Sequence, residues 1–222
     1  MTFSGFPVEG LAFLTDLGSG RDKAWFDERR KRYDTDVVGP AKAFVAAMGD
    51  ALGERFGAEI TAIPRTNGSI APINNDLRFS PDKTPYKDHL LFRFWEGAEK
   101  KTAPTLFVRL NEATVGFASG AALPDLDRWR SLVAGDEGAA LATTLERLGA
   151  GRALDIDGQG YQRVPKPYPA DHPRADLLKH KGFQARWIVD TPDAVHSPGF
   201  VDLCTDQLAE AIDVHRWLVT NL

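Results

Sequence analysis

At Gly57 the spacing of apolar residues changes period, and a chain that does this must join a helical layer to a sheet. Three helices can be read before that point. Pro7 opens the first, with Leu11, Leu14 and Leu17 on one stripe and Gly18 and Gly20 at its end. Asp22 caps the second, in which Trp25 and Phe26 are followed by Arg29, Arg30 and Tyr33 at the spacing of neighbours on a helix surface. Gly39-Pro40 predicts a break and a third helix, whose Phe44, Val45, Met48, Leu52 and Phe56 keep the 3.6-residue period.

Beyond Gly57 the pieces are short and extended. Residues 60–63 and 69–73 are interrupted by Pro64, Asn67-Gly68 and Pro72, residues 90–95 and 105–110 read as strands, and Asn111-Glu112-Ala113 reads as a hairpin connection to 114–118. Helices follow from Pro124, with Leu126, Trp129, Leu132 and Val133, and from Glu137 to Leu148. Residues 149–160 read as a loop, 161–164 as an extended piece, 174–181 as a short helix and 183–189 as a last strand. Ser197 as cap and Pro198 as first residue predict one terminal helix with Val201, Cys204, Leu208, Ala211, His215 and Leu218 on its buried stripe. The expectation is a single α+β domain over residues 1–222, with a mostly antiparallel sheet flanked by helices.

Segment 74–89, Asn-Asn-Asp-Leu-Arg-Phe-Ser-Pro-Asp-Lys-Thr-Pro-Tyr-Lys-Asp-His, is too polar for the core and too broken for a helix, because Pro81 and Pro85 each remove a backbone donor. It reads as an ordered loop. Arg78, Lys83 and Lys87 can converge there on a phosphate or carboxylate, with Arg30 as a fourth cation. Asp76, Asp82 and Asp88 can instead neutralise the same cations and merely pin the loop. Tyr86 and His89 are the candidates for proton transfer; the alternative is that Tyr86 bonds a backbone carbonyl and His89 sits at a strand rim. Lys166 and His172 form a second polar stretch, in which His172 or Asp171 can equally cap the helix that follows.

Trp25-Phe26 with Arg30 and Tyr33, then Asp76-x-Arg78-Phe79-Ser80-x-Asp82-Lys83-x-Pro85-Tyr86-Lys87, then Pro165-Lys166 with Asp171-His172-Pro173 and Leu177-Leu178-Lys179, resemble a widespread bacterial and fungal family of conserved hypothetical proteins with a domain of unknown function. The resemblance spans nearly the whole chain and brings no activity with it. Pro72-Ile73-Asn74-Asn75 stands where the family is expected to carry two more cations, and Pro165-Lys166-Pro167 where it is expected to have Pro-Lys-Gly. An anion pocket here would therefore be weaker or retuned.

A net charge of −4 argues against general nucleic-acid binding, which would require Arg29, Arg30, Lys31 and Arg32 to form one basic face with Lys83 and Lys87. Cys204 is the only cysteine, so neither an intramolecular disulfide nor a thiolate metal cage is expected, and the cytoplasm is the natural setting. No apolar run approaches the roughly 20 residues of a membrane span. No phosphate-loop, dinucleotide or nucleophile-elbow motif is present, so the sequence names no cofactor. Two readings remain open. One is an anion-binding pocket around 76–89 for a small molecule, with Tyr86 or His89 moving a proton in its catalytic version. The other is a non-catalytic interaction module, whose acidic residues after position 190 would face a basic protein partner.

Overall fold

The computed structural model describes residues 2–78 and 84–222. Helix α1 (Val8–Gly18) and helix α2 (Lys23–Tyr33) form where the apolar spacing predicts them, with the Asp22 carboxylate accepting from the Trp25 N–H as the α2 cap. The predicted break at Gly39-Pro40 does not occur. A π-helical turn at Asp34–Val38 carries α2 directly into α3 (Gly39–Phe56). Pro40 has no N–H to give to the Asp36 carbonyl four residues earlier, and the widened turn absorbs this, with the Gly39 N–H donating to Asp34 five residues back. Gly57 adopts left-handed backbone at φ 60° and ends α3.

The strands are β1 (Ile60–Thr61), β2 (Leu90–Glu96), β3 (Thr105–Leu110) and β4 (Thr114–Ala122), then β5 (Asp155–Gln159) and β6 (His180–Asp190) after α4 (Leu126–Ala134) and α5 (Asp136–Gly149). A short α6 (Ala175–Leu178) precedes β6, and α7 (Phe200–Ala209) and α8 (Ile212–Asn221) close the chain. The fold is α+β, with a six-stranded antiparallel sheet in the order β1-β2-β3-β4-β6-β5.

Two further expectations are corrected. Strand β5 lies inside the predicted loop 149–160. Asp155, Ile156 and Asp157 pair with Arg186, Ala185 and Gln184 of β6, so this edge strand is made by its partner rather than by its own alternation. The terminal helix is two helices, beginning at Phe200 and interrupted between Ala209 and Ile212.

By internal packing the residues divide into two compact units: 1–94 with 107–116 and 188–206, and 95–106 with 117–187 and 207–222. The first is centred on Phe44, whose ring lies 4.8 Å from Phe92 and 5.4 Å from Phe200, with Phe3 and Phe6 beside it. Each such aromatic pair is worth about 0.5–1.5 kcal/mol beyond the area it buries. The second unit is centred on Trp129, which is fully buried against Trp217 and Phe183 and donates its Nε1–H to the Leu177 carbonyl at 2.8 Å. No helix among the described residues is long and apolar enough to cross a membrane.

Candidate functional site

The 74–89 stretch folds back on itself. Asn75 N–H donates to the Pro85 carbonyl, Lys87 N–H to the Ile73 carbonyl, and the Asn75 side-chain amide to the Thr84 carbonyl, so residues 73–75 and 84–87 form two paired legs. Phe79 to Lys83 lie outside the described residues, and with them two candidate site residues, Asp82 and Lys83.

The remaining candidates have local partners. Arg78 grips Asp76 bidentately, Nε to Oδ1 at 2.9 Å and Nη2 to Oδ2 at 2.7 Å, which lowers the Asp76 carboxyl and raises the guanidinium. Lys87 donates from Nζ to the Pro72 and Asn74 carbonyls, both at 2.7 Å, and burial together with the nearby Arg93 charge lowers its ammonium. The pair stitches the two legs together. Tyr86 is 5% exposed, with its ring 5.0 Å from Phe26. Arg30 lies over the same Phe26 ring and pairs with Asp27. Tyr33, also against Phe26, is pushed up to about 12 by burial and the neighbouring Asp34.

Lys166 and His172 belong to the second unit. Lys166 is exposed, and His172 accepts the Arg174 N–H at Nδ1; Arg174 is itself the N-cap of α6 and that helix has no side-chain cap bond, so neither His172 nor Asp171 caps it. On α2, Arg29 pairs with Glu28 and Arg32 with Asp36, so two cations of the proposed basic face already have acidic neighbours.

The denser arrangement is at the base of the second leg. His89 Nδ1 lies 2.6 Å from Asp88 Oδ1, and Arg109 Nη2 lies 3.2 Å from that oxygen and 3.0 Å from that nitrogen. Asn111 reaches the other carboxylate oxygen at 3.5 Å, while its own Oδ1 accepts the N–H groups of Ala113 and Thr114 and builds the hairpin turn. Burial alone would raise Asp88, but His89, Arg109 and Asn111 together hold its carboxyl below the usual value. Burial lowers His89, with Arg109 and Lys87 adding to the effect and Asp88 opposing it. The resting state is a neutral imidazole beside a carboxylate and a guanidinium. Because an oxygen anion and an imidazole nitrogen approach to 2.6 Å only across a proton, the tautomer that fits has Nδ1–H donating to Asp88, with Arg109 Nη2 donating to the same carboxylate oxygen rather than to the ring nitrogen and Nε2 carrying the lone pair.

Asp88 and Asn111 also border a cleft of about 490 Å³ whose other walls are Thr15, Gly18, Ser19, Glu112 and Ala113. Thr15 donates to Glu112 at 2.6 Å. Gly18 is required here by close approach, since a Cβ on it would come within 2.4 Å of the Asp88 Cβ. Among the described residues no group of three or more His, Cys, Asp and Glu could hold a metal ion.

The sequence reading named Asp88 only as a neutralising acid and missed Arg109 and Asn111. One signal was available for Arg109: it is the single charged residue of β3, between the buried Val108 and Leu110.

A comparison with curated proteins returns no match. The family described as "Conserved hypothetical protein (DUF2461)" matches residues 9–217, which takes in both paired legs, Asp88, His89, Arg109 and Asn111, and the chain belongs to that family.

Proposed function

We propose that the protein is a cytoplasmic enzyme or receptor for a small anionic molecule, with Arg109 binding the anionic group and His89 accepting a proton at Nε2. The observation that carries this reading is the Asp88–His89 contact with Arg109 fixed on it. It is the arrangement of a general base whose tautomer is set by a carboxylate. Arg109 spends only Nη2 on that contact among the described residues, which leaves the rest of its fork for a carboxylate or phosphate. Lys87 supports the site in this reading by holding together the legs that present His89.

The test is a thermal-shift screen with inorganic phosphate, acetate, citrate and nucleotides on the wild type and on Arg109→Gln. Binding raises the melting temperature by linkage, about 2.7 kcal/mol of stabilisation at a hundredfold excess over Kd. A rise that survives in His89→Gln and disappears in Arg109→Gln supports the reading. Equal shifts in wild type and Arg109→Gln contradict it.

The second reading, a non-catalytic interaction module with structural charges at 76–89, is favoured by the internal bonds of Lys87 and Asp76–Arg78. Silence across the anion screen, together with capture of a basic protein by the acidic C-terminal residues, would favour it.

A further inference from the structure

Among the described residues four side chains, Arg93, Arg130, Arg152 and His180, have an enclosed nitrogen without a hydrogen-bond partner, and of these only His180 is itself a buried residue. His180, the first residue of β6, is 1% exposed, and its Nδ1 has no hydrogen-bond partner among the described residues. Its ring is parallel to the Trp129 indole, 7° between planes with centroids 6.5 Å apart, and lies 6.2 Å from Phe183. Trp129 is itself fixed by its bond to Leu177, so the imidazole is held in a defined orientation. A neutral imidazole must have a donor at one nitrogen and an acceptor at the other. Leaving one buried and unpaired costs about 1–3 kcal/mol. A phenylalanine would fill this aromatic slot without that cost, so packing alone does not explain a histidine here.

The ring borders a cleft of about 360 Å³. Ala142, Leu145, Ile156 and Leu177 give it apolar walls, and Arg174 and Asp176 supply charge. The Arg174 guanidinium uses Nε and Nη2 on the Val133, Ala134 and Gly135 carbonyls at the end of α4, while Nη1 makes no such bond. The Asp176 carboxylate is already paired with the Lys179 ammonium at 2.9 Å. The enclosed Nδ1 faces away from solvent, whereas His180 Nε2 is not enclosed and makes no hydrogen bond among the described residues, so the cleft combines an apolar body with an uncommitted guanidinium edge and an imidazole nitrogen, which matches a carboxylate on an apolar tail.

We propose that this cleft is a binding site for a small organic acid with an apolar body, its carboxylate taking hydrogen bonds from Arg174 Nη1 and from the imidazole of His180 at Nε2, and its body lying on Leu145, Ile156 and Leu177. All of these residues belong to the second unit, and the site stands independently of the reading given to His89.

The experiment is a 1H–15N titration of the full chain with benzoate and, as the uncharged control, benzyl alcohol, following the His180 ring nitrogens and the Trp129 indole. Benzoate is expected to shift both saturably and to bind at least about tenfold more tightly than benzyl alcohol. His180→Phe is expected to keep or raise the melting temperature of the ligand-free protein and to lose that preference. Ile156→Trp, which fills the cleft from the edge strand, is expected to weaken benzoate without unfolding the chain. The proposal is overturned if benzoate leaves the His180 and Trp129 signals unmoved, if benzyl alcohol binds equally well, or if His180→Phe binds benzoate like the wild type.

Discussion

The Oδ1 of Asp88 stands 2.6 Å from the Nδ1 of His89, in a chain where the two residues are neighbours. Consecutive residues at the start of a strand normally point to opposite faces. Here the turn before β2 brings both side chains to Arg109, so that one guanidinium nitrogen meets the carboxylate and the imidazole together.

Removing the charge at Asp88 should change the imidazole rather than the fold. Asp88→Asn takes away the one anion that, among the described residues, opposes the effect of burial on His89, so the His89 pKa should fall further below its ordinary value of 6.5, read by NMR titration. A double-mutant cycle between Asp88→Asn and Arg109→Gln should show a coupling of roughly 1 kcal/mol, as expected for neighbours in one partly exposed network.

Acid should weaken the protein in two steps. Burial lowers His89, His180 and His215 below 6.5, so in each case the folded chain binds fewer protons than the unfolded one. Their contribution is present above 6.5 and is lost as pH falls below it. Asp88 has a folded value below 3.8, so its contribution is complete above 3.8 and is lost as pH falls through the folded value. Melting temperature against pH should fall first on the histidine limb and again on the carboxylate limb. His180→Phe should flatten only the first.

Lys87 and Arg78 should separate sharply. Lys87→Met leaves the Pro72 and Asn74 carbonyls without their shared donor and should cost about 1–3 kcal/mol in denaturant unfolding. Arg78→Ala removes an ion pair with Asp76 that is exposed on both sides, and the loss of that pair should cost less than about 1 kcal/mol. A reversed order would mean that Arg78 holds the hairpin.

Gly18→Ala tests the end of α1. The added Cβ would press on the Asp88 Cβ at 2.4 Å and its Cα at 2.9 Å, so Asp88 must shift. The expected cost is about 1–3 kcal/mol of overpacking. The His89 ring signals should move as well, because the carboxylate that orients them has moved.

What could be read in the sequence was what depends on local spacing. The stripes of α1 and α3, the Asp22 cap and the β3–β4 hairpin at Asn111 are all set by residues within one or two turns of each other. What could not be read depends on distant partners. Strand β5 has one apolar residue, Ile156, and exists because β6 pairs with it and Arg186 grips Asp155. The π turn hides Pro40 because the carbonyl that loses its donor is accommodated by the widened register. At the site, His89 and the loop charges were visible from composition alone. Arg109, 20 residues further on, is brought to His89 only by the fold.

The most direct test of the account is a pH titration of the His89 ring nitrogens by 15N-resolved NMR, repeated with inorganic phosphate. The account predicts a neutral ring protonated on Nδ1 at neutral pH, a pKa below 6.5, and a response of the Nε2 signal to phosphate that Arg109→Gln abolishes. A ring protonated on Nε2, or one that stays charged above pH 6.5, would contradict it, because no lone pair would then be available to accept a proton.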